Sequence, residues 1–409
     1  MFRKLLTFDE AKNTINQLKL ASPNTEEIPL IEAYNRILAE DAVSSLDIPP
    51  FNRSTVDGYA VKAEDTYGAD ESQPVHLKVS GVVNIGELPR VKVEKGKTAE
   101  IATGAPIPEG SDAVVMVENT EKNNSNLKVF CSVTKDENVM KKGADLQKGE
   151  ITLGKGQSLR PSQIGILAAL GIAKVKVFRV PRIAVLSTGG EVTEPGNPLP
   201  PGKIYDINAY SLSAAVMECG GKPIYMGVVP DQRKKLRKML ENALANADVV
   251  ITSAGVSVGQ KDLLPQTVDS LGKPGVLFSG VAVKPGKPTT VALIGQKPIF
   301  SLPGHPASAL LIFHLLVRPV IQRLSGMFSV ENEVIKAIAS AKMFSARGRR
   351  TFVMVKLKRG ESKQWVAEAV ASGASGAITT LARADGYVEI PENQQFIDKD
   401  DEVKVLLFK

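Results

Sequence analysis

The sequence has few of the residues that form disulfide frameworks and zinc sites, with two cysteines and three histidines among 409 residues. Cys131 and Cys219 cannot make a set of several disulfides, and the histidines and cysteines do not have the spacing of a structural zinc site. Low cysteine usage is typical of reducing compartments. We therefore expect a cytoplasmic protein.

Aromatic residues are also scarce, at 5% of the chain, which leaves few platforms on which nucleic-acid bases could stack. The chain carries 51 basic and 44 acidic residues, a formal charge of +7 that favours anionic partners without naming any. The basic run at residues 233–238 shares its helical pattern with Leu236, Met239 and Leu240, so it is more simply a solvated helix face. We do not expect a nucleic-acid partner.

The chain also lacks an apolar leader, because its first ten residues include Arg3, Lys4, Asp9 and Glu10. We expect no signal peptide. One stretch, residues 298–317, is free of charge for twenty residues and is formally long enough to span a bilayer. The prolines and glycine at residues 303–306 divide it into a short strand and a helix. We interpret both pieces as buried core and expect no membrane partner.

Several nucleotide and hydrolase motifs are missing. The sequence has no G-x-G-x-x-G fingerprint and no G-x-S-x-G elbow. Residues 280–287 place five residues between two glycines, and Pro288 stands where a P-loop needs Ser or Thr. A P-loop kinase or ATPase and covalent acyl chemistry are therefore disfavoured, while direct attack by an activated oxygen remains open.

Hydrophobic patterning divides the chain into distinct regions, as its length also predicts. Apolar residues recur at helical spacing in residues 7–20 and 31–43, which predicts two N-terminal helices. Residues 49–142 alternate with frequent turn residues and predict a small β-rich unit. Residues 160–170 predict a further helix that begins at Pro161 and stops at Gly171.

The second half of the chain has two patterns. Residues 181–325 alternate strand and helix, which predicts a parallel sheet covered by helices. From residue 328 onward the period returns to two, which predicts a C-terminal β domain.

Three predicted strands of the α/β region are each followed by a loop that contains glycine and leads toward a helix. The loops are residues 187–191, 252–259 and 302–306. In a parallel sheet the carboxyl ends of the strands lie at one edge, where helix N-termini and backbone amides favour anions. The sequence therefore predicts one composite anion-binding pocket.

A second feature of this region is the turn at residues 284–288, in which Lys284 and Lys287 are bracketed by prolines and a glycine. A stiff backbone loses little freedom when its lysines clamp a phosphate or another oxyanion. The alternative interpretation is a solvated basic turn.

Acidic residues stand in similar glycine-rich settings at Asp57, Asp145, Glu191 and Asp262. Glu191 and Asp262 could simply cap helices, and each of the others could belong to an ordinary turn. Taken together with the lysine turn, the carboxylates would suit Mg²⁺ and a phosphate ester, because that ion takes oxygen ligands and screens phosphate charge.

These segments together resemble the molybdopterin molybdenumtransferase family, of the MoeA and gephyrin-E type, over nearly the whole chain. The order of the motifs carries the resemblance. The motifs are Pro49-Pro50-Phe51, Asp57-Gly58-Tyr59-Ala60, residues 102–108, residues 143–149, residues 187–191, residues 255–262, residues 284–288 and Ser301-Leu302-Pro303-Gly304.

The resemblance implies a multidomain α/β and β protein that forms an elongated homodimer. Its implied parts are a helical domain (1–48 plus 145–180), an inserted β domain (49–144), a central doubly wound α/β domain of the molybdopterin-binding type (181–327) and a C-terminal β barrel (328–409).

The implied activity is the insertion of molybdate, or the similar oxyanion tungstate, into adenylated molybdopterin with release of AMP and assistance from Mg²⁺. The resemblance places the site where the α/β domain of one subunit faces the inserted β domain of the other. It also implies a possible upstream partner, the molybdopterin adenylyltransferase.

Residue roles follow from the resemblance, motif by motif. Asp57, Glu191 and Asp262 match the important carboxylates, with Glu191 and Asp262 as metal ligands, and Lys284 and Lys287 match the anion clamp. Other matched positions would bind substrate, and Arg349 or Arg350 would reach it from the C-terminal domain. The substrate-binding positions are Thr103, Asp145, Gly189, Gly255, Ser257, Gly259, Pro303 and Gly304.

The sequence departs from the family pattern at Asn52, Gly190, Ala254 and Gln260. Asn52 and Gln260 replace residues that are often acidic, and Gly190 replaces an Asp or Asn beside Glu191. The lower negative charge could weaken a second metal contact or shift the preference between molybdate and tungstate.

Two alternatives stay open beside the transferase. A molybdopterin adenylyltransferase would resemble residues 181–325 alone, but it has no need of the segments around Asp57 and Thr103. A non-catalytic dimeric scaffold would be expected to lose its acids and lysines, whereas Asp57, Glu191 and Asp262 are all present.

Overall fold

The computed structural model describes residues 5–253, 263–327, 333–360, 363–370 and 382–408. The chain divides into two compact units. The larger unit contains residues 1–39, 156–160 and 174–409, and the smaller unit contains residues 40–155 and 161–173. The four predicted domain boundaries stay a prediction.

The described helices are concentrated in the larger unit. Short 3₁₀ turns occur at Leu30–Glu32, Ala63–Thr66 and Val117–Asn119, and a π-helical turn, Phe313–Val317, joins the last two helices. The α-helices are α1 (Phe8–Asn16), α2 (Pro161–Ala169), α3 (Asn208–Glu218), α4 (Arg233–Asn246), α5 (Leu263–Asp269), α6 (Pro306–Ile312) and α7 (Arg318–Leu324).

The strands of the first 180 residues are mostly short. They are β1 (Thr25–Pro29), β2 (Ala42–Val43), β3 (Arg53–Ser54), β4 (Gly58–Val61), β5 (Val75–Val83), β6 (Lys97–Ile101), β7 (Ala113–Met116), β8 (Thr120–Asn123), β9 (Asn126–Val129), β10 (Val139–Met140), β11 (Ile151–Leu153) and β12 (Lys174–Phe178).

The remaining strands form the α/β sheet and the C-terminal domain. They are β13 (Arg182–Thr188), β14 (Val192–Thr193), β15 (Ile204–Tyr205), β16 (Lys222–Val229), β17 (Val249–Ser253), β18 (Pro274–Ser279), β19 (Val283–Lys284), β20 (Thr290–Ile294), β21 (Lys297–Leu302), β22 (Val334–Ala339), β23 (Met343–Phe344), β24 (Arg350–Arg359), β25 (Trp365–Ala369), β26 (Gly386–Ile390), β27 (Phe396–Ile397) and β28 (Glu402–Leu407).

The central sheet has the strand order β16-β13-β17-β21-β20-β18. Its first four strands are parallel, as predicted, but β20 runs antiparallel to both of its neighbours, so the prediction of a wholly parallel sheet is wrong. Only Gly295 and Gln296 connect β20 to β21, and a two-residue connection permits only an antiparallel hairpin.

Helices cover both faces of this sheet, which confirms the doubly wound α/β architecture. Along β13, Ile183 and Val185 belong to one core cluster with α3, α6 and α7, while Ala184 and Leu186 belong to a second cluster with α4 and α5. Successive residues of a strand point to opposite faces, so an uninterrupted apolar strand supplies both cores.

The N-terminal segment only partly follows the predicted helices. The helix predicted in residues 7–20 is present as α1, with a capping box between Thr7 and Glu10. The helix predicted in residues 31–43 is wrong. Asn35 has a φ of 61°, which interrupts a helix, and the amides of Leu38 and Ala39 bond to backbone carbonyls at residues 157 and 176. Backbone carbonyls far along the chain therefore accept the hydrogen bonds that a helix would have made within this segment.

The smaller unit is built on a mixed sheet of order β7-β4-β6-β5-β9-β8, which confirms the β-rich insert. The helix predicted at residues 160–170 is confirmed as α2, with Pro161 as its first residue and Gly171 after its end at a φ of 75°. Gly58 in β4 is required by close packing, because a Cβ atom there would lie 1.9 Å from the Val115 carbonyl oxygen.

The C-terminal domain is a closed barrel, as predicted. Strands pair in the order β24-β25-β22-β28-β26, and β26 returns to pair with β24. The first residues of β24 also accept β19 from the α/β region, with Val283 opposite Arg350 and Lys284 opposite Thr351. The short strand β19, which leads into the lysine turn at residues 284–288, therefore extends the barrel sheet.

Arg350 joins the barrel to the N-terminal helix. Its guanidinium donates two 2.8 Å hydrogen bonds to Asp9, a 2.9 Å bond to Glu392, and forms a 3.1 Å ion pair with Glu389. The Phe8 ring lies beside the Phe352 ring, with centroids 5.2 Å apart. Helix α1 thus docks on the barrel through both charge and apolar contact.

One helical run, Pro306–Leu324, is long and apolar enough to cross a membrane by length and composition. Of its most apolar window, 61% is buried inside the protein. The run packs as a core helix of the α/β region, in agreement with the interpretation of the uncharged stretch as core.

Within this run His314 is enclosed by the rings of Phe313 and Phe408, with centroids 5.8 and 5.1 Å away. Burial, with a smaller contribution from the Arg318 charge, lowers the pKa of His314 to about 4. Because the unfolded chain binds a proton at higher pH, stability should fall as pH drops from about 6.5 to about 4, by at most about 3 kcal/mol.

His314→Leu should therefore flatten the dependence of unfolding free energy on pH in this window. Urea titrations at several pH values would measure the slope. His76→Leu, at an exposed position on β5, is the matched control and should leave the slope as in the unchanged protein. Equal slopes for the His314→Leu variant and the unchanged protein would contradict the assignment.

Candidate active site

The candidate site lies at the edge of the central sheet where the parallel strands end. Ser187 of β13 is opposite Ser253 of β17, and Ser253 is opposite Leu302 of β21. The three strands therefore end at one level, so the expectation that their loops share one edge is confirmed. Further across, Ser301 is opposite Thr290, and Thr290 is opposite Ser279, so the turn between β18 and β20 leaves from the same edge.

Two polar residues at the start of α3 connect these strand ends. Asp206 accepts a 2.9 Å hydrogen bond from the Ser187 hydroxyl and a 3.0 Å bond from the Ala209 amide. The Asn208 amide group donates to the Ser253 hydroxyl at 2.6 Å and to the Gly304 carbonyl at 2.7 Å. The beginning of α3 therefore holds the ends of β13, β17 and β21 in one arrangement.

Part of this polar cluster has no hydrogen-bond partner among the described residues. Asp206 Oδ2 and Asn208 Oδ1 are buried and unpaired there. A buried polar atom without a partner costs about 1–3 kcal/mol, and an unpaired carboxylate oxygen costs more. These two oxygens at the carboxyl edge of the sheet suit a cation or an ordered water.

The negative charge of Asp206 also acts on a nearby tyrosine. Burial, followed by the charges of Asp206 and Glu194, raises the pKa of the Tyr225 hydroxyl. The Tyr225 hydroxyl on β16 therefore keeps its proton at neutral pH.

Glu191 folds back over the loop that follows β13. A Cβ atom on Gly189 would lie 2.7 Å from both carboxylate oxygens of Glu191, and Gly189 has a φ of 137°, so only glycine fits here. The helix toward which this loop leads is not adjacent to Glu191. Glu191 precedes the short strand β14, which pairs with β15, and the next helix begins at Asn208. Helix capping therefore does not explain Glu191.

The lysine turn is fixed by the barrel and by the helix α6. Lys284 belongs to β19, whose partner is β24, and Gly286 sits so close to Ile312 that a Cβ atom would lie 2.4 Å from its Cδ1. The Thr289 hydroxyl donates to the Gly286 carbonyl at 2.7 Å. Lys284 and Lys287 are both exposed, and neither forms an ion pair with a described residue. The turn therefore presents two cations that have no acidic partner among the described residues.

A cavity of about 650 Å³ opens beside this turn, between the sheet edge and the barrel. Pro303 and His305 from the loop after β21 form part of its wall. The cationic lining residues are Lys284, Lys287, Lys342 and Arg349, and no acidic side chain of the described residues lines it. The cavity is therefore suited to an anion.

The neighbouring arginines at the start of β24, Arg349 just before the strand and Arg350 as its first residue, have different roles. Arg349 lines the cavity, whereas Arg350 is held by Asp9, Glu389 and Glu392. Of the two residues considered from the sequence, Arg349 is the one that reaches the cavity.

In the smaller unit the structure brings Asp57 and Thr103 together. The Thr103 amide donates a 2.7 Å hydrogen bond to Asp57 Oδ1, and this bond lowers the pKa of Asp57. Asp145 is exposed in a turn, and its own backbone amide donates a 3.0 Å hydrogen bond to the Ile48 carbonyl. Asp57 is therefore held as a charged carboxylate at the start of β4.

The loop after β17 lies outside the described residues. The predicted site residues Gly255, Ser257, Gly259 and Asp262, and the departures Ala254 and Gln260, fall there. Among the described residues, three or more His, Cys, Asp or Glu side chains do not gather into a metal site.

The site also contains residues that the sequence interpretation missed. Asp206 and Asn208 precede and begin α3, where such residues are most simply helix caps. The signal that could have found them is their position, since a helix that opens at the carboxyl edge of a sheet presents its first polar side chains to the strand ends.

Comparisons with known proteins agree with this arrangement along the chain. Family models match the MoeA N-terminal region (domains I and II) over residues 6–171, a probable molybdopterin binding domain over residues 184–323 and the MoeA C-terminal region (domain IV) over residues 336–408.

Similar proteins cover nearly all of the chain. It is 37% identical to a molybdopterin molybdenumtransferase of Nostoc sp. over 94% of this chain and 88% of that protein, and 34% identical to one of Bacillus subtilis over 94% and 90%. A solved MoeA molybdopterin biosynthesis protein of Pyrococcus horikoshii matches with a TM-score of 0.87, at 43% identity over 99% of this chain and 100% of that one. The chain therefore belongs to the MoeA family of molybdopterin molybdenumtransferases.

Proposed function

We propose that the protein transfers molybdate, or tungstate, to adenylated molybdopterin and releases AMP. The observation that supports this most directly is the cavity at the sheet edge, which is lined by cations and by no acidic side chain among the described residues. The buried carboxylate Asp206 lies at the same edge, at the end of β13. A phosphate ester and an oxyanion need such cations, and a divalent ion needs such a carboxylate.

Oxygen donors at this edge would hold Mg²⁺. The unpaired Asp206 Oδ2 adds a buried carboxylate oxygen to the proposed ligands Glu191 and Asp262. A bound Mg²⁺ would neutralise charge on the pyrophosphate of the substrate. The departures at Gly190 and Gln260 leave fewer carboxylates beside these ligands, so we propose Asp206 as a compensating donor.

The chain's own residues would bind and orient the substrate around the reacting phosphates. Lys284 and Lys287, on a turn fixed by β24 and α6, would stabilise the oxygens that gain charge as AMP leaves. Asn208 bonds both to β17 and to Gly304, so it would fix the distance between β17 and the loop after β21 that contains Pro303 and Gly304. Gly189, Gly255, Ser257 and Gly259 would bind the pterin phosphate through the loops after β13 and β17.

We further propose that the protein is a cytoplasmic homodimer. Asp57, Thr103 and Asp145 of one subunit would complete the site of the other. The upstream adenylyltransferase would supply the adenylated substrate. The 2.7 Å bond between the Thr103 amide and Asp57 supports a preserved polar site in the smaller unit. The adenylyltransferase and the non-catalytic scaffold are not favoured, because matched family regions flank the α/β domain on both sides and the lysines and carboxylates are kept.

The first prediction concerns the reaction itself. Purified protein given adenylated molybdopterin and Mg²⁺ should release AMP in a manner that depends on molybdate or tungstate, and removal of Mg²⁺ with a chelator should stop the release. Chromatography of AMP and metal analysis of the pterin would follow both products. Release that is indifferent to either oxyanion, or ligand binding without release, would contradict the proposal.

A second prediction concerns Asp206. Asp206→Asn keeps the oxygen that accepts from Ser187 and Ala209 but removes the negative charge, so the fold should persist while AMP release falls about 100-fold. The midpoint of thermal unfolding and the release rate would be measured together.

The matched control for Asp206 is Asp269→Asn. Asp269 Oδ1 also accepts a backbone hydrogen bond, from the Val276 amide, but it lies at the opposite edge of the sheet. Its release rate should match that of the unchanged protein. Full activity in the Asp206→Asn variant would show that the carboxylate charge is not needed.

A third prediction concerns the anion clamp. Lys287→Ala should raise the molybdate concentration needed for half-maximal AMP release about tenfold, because one uncompensated cation is lost from the cavity. Lys273→Ala is the matched control, since Lys273 is an exposed lysine before a proline at the other edge of the sheet. If both variants needed the same molybdate concentration for half-maximal AMP release, Lys287 would not be part of the anion clamp.

A further inference from the structure

An aromatic side chain lies exposed on the wall of the cationic cavity. Phe344 lines the cavity, yet 66% of it remains accessible to solvent. The removal of a phenylalanine ring from water lowers the free energy. An exposed ring on the wall of a concave site is therefore a surface that an apolar partner can cover.

Backbone pairing fixes the position of this ring. Phe344 belongs to β23, which pairs antiparallel with β27, so that Phe344 is opposite Phe396 and Met343 is opposite Ile397. Met343 is buried beneath the strand. The Ser345 amide donates to the Gln395 carbonyl at 2.8 Å, which continues the pairing. Phe344 is therefore presented by a strand pair anchored to the barrel.

Cations share the cavity with the ring. Lys284, Lys287 and Arg349 line it without an ion pair to a described residue, whereas Lys342 is paired with Asp398 at 2.9 Å and lies 3.5 Å from the centroid of the Phe396 ring. A flat apolar surface beside uncompensated cations matches a ligand that joins a planar heterocycle to a phosphate. A nucleotide has this chemistry, because every base offers a π-face for stacking.

We propose that the cavity binds the AMP part of the substrate, with the adenine ring stacked on Phe344 and the phosphate facing Lys284 and Lys287. This inference rests on the proposed function and adds to it a residue that positions the leaving nucleotide.

The position of the cavity in the sheet assigns it to adenine rather than to the pterin. We have placed the pterin phosphate at the loop after β17, whereas the cavity is lined by the turn before β20 and by the loop after β21. In the order β17-β21-β20, one strand spacing separates the end of β17 from the end of β21 and two separate it from the start of β20, about 5 and 10 Å. The two halves of an adenylated pterin can therefore occupy the edge side by side.

The test is AMP affinity, measured by isothermal titration calorimetry on the full chain in the presence of molybdate. Phe344→Leu keeps an apolar side chain but loses the flat ring, so the dissociation constant for AMP should rise about tenfold. Phe344→Tyr should keep the affinity of the unchanged protein. Phe396→Leu, on the paired strand and outside the cavity lining, is the matched control and should leave AMP affinity unchanged.

Ribose 5-phosphate has the sugar and phosphate of AMP but no base, so it tests the phosphate contacts separately from stacking. Its affinity should be the same in the Phe344→Leu variant and the unchanged protein, while Lys287→Ala should weaken both ligands. Thermal unfolding of each variant would show that the fold is kept. Equal AMP affinity in the Phe344→Leu variant and the unchanged protein, or equal loss in Phe344→Leu and Phe396→Leu, would overturn the proposal.

Failure of this site and failure of the proposed function give different results. AMP binding that depends on Phe344, without AMP release from adenylated molybdopterin, would keep the nucleotide site and reject the transferase. Oxyanion-dependent AMP release with AMP affinity indifferent to Phe344 would keep the transferase and reject the site.

Discussion

The hydrogen-bond register between β13, β17 and β21 is the constraint on which the candidate site depends. Because the pairs run Ser187–Ser253 and Ser253–Leu302, three loops leave the sheet at one level. Asp206 and Asn208 then tie the strand ends together from the start of α3. A slip of one residue in any pair would turn the apolar side chains to the wrong face, so the two cores on either side of the sheet hold the register.

The barrel contributes to the same site through a small contact. Its strand β24 pairs with β26 and β25 over most of its length and accepts β19 at its first residues. This pairing positions Lys284 beside the barrel residue Arg349 and closes one side of the cavity. The anion-binding surface is therefore built where the turn at residues 284–288 meets the barrel, because β19 extends the barrel sheet next to Arg349.

The sequence predicted those parts of the fold in which apolar spacing and local turn residues agree. The alternation in residues 181–325 gave β13, β17, β21 and the helices between them, because both faces of the sheet need a continuous apolar strand. Residues 31–43 have helical spacing but find their partners at residues 157 and 176, and no local pattern records a contact of that separation.

The candidate site was predictable to a similar degree. The lysine turn and Glu191 stand out because glycine and proline surround them, whereas Asp206 and Asn208 look like ordinary residues at a helix start. Arg349 and Arg350 could not be separated, since they are adjacent arginines and only the fold shows that Arg349 lines the cavity while Arg350 is held by Asp9, Glu389 and Glu392. The contact of Arg350 with Asp9 joins residues 341 positions apart. On a ribosome, α1 is made well before the barrel, so its contacts with Arg350 and Phe352 can form only after the barrel strands have been synthesised.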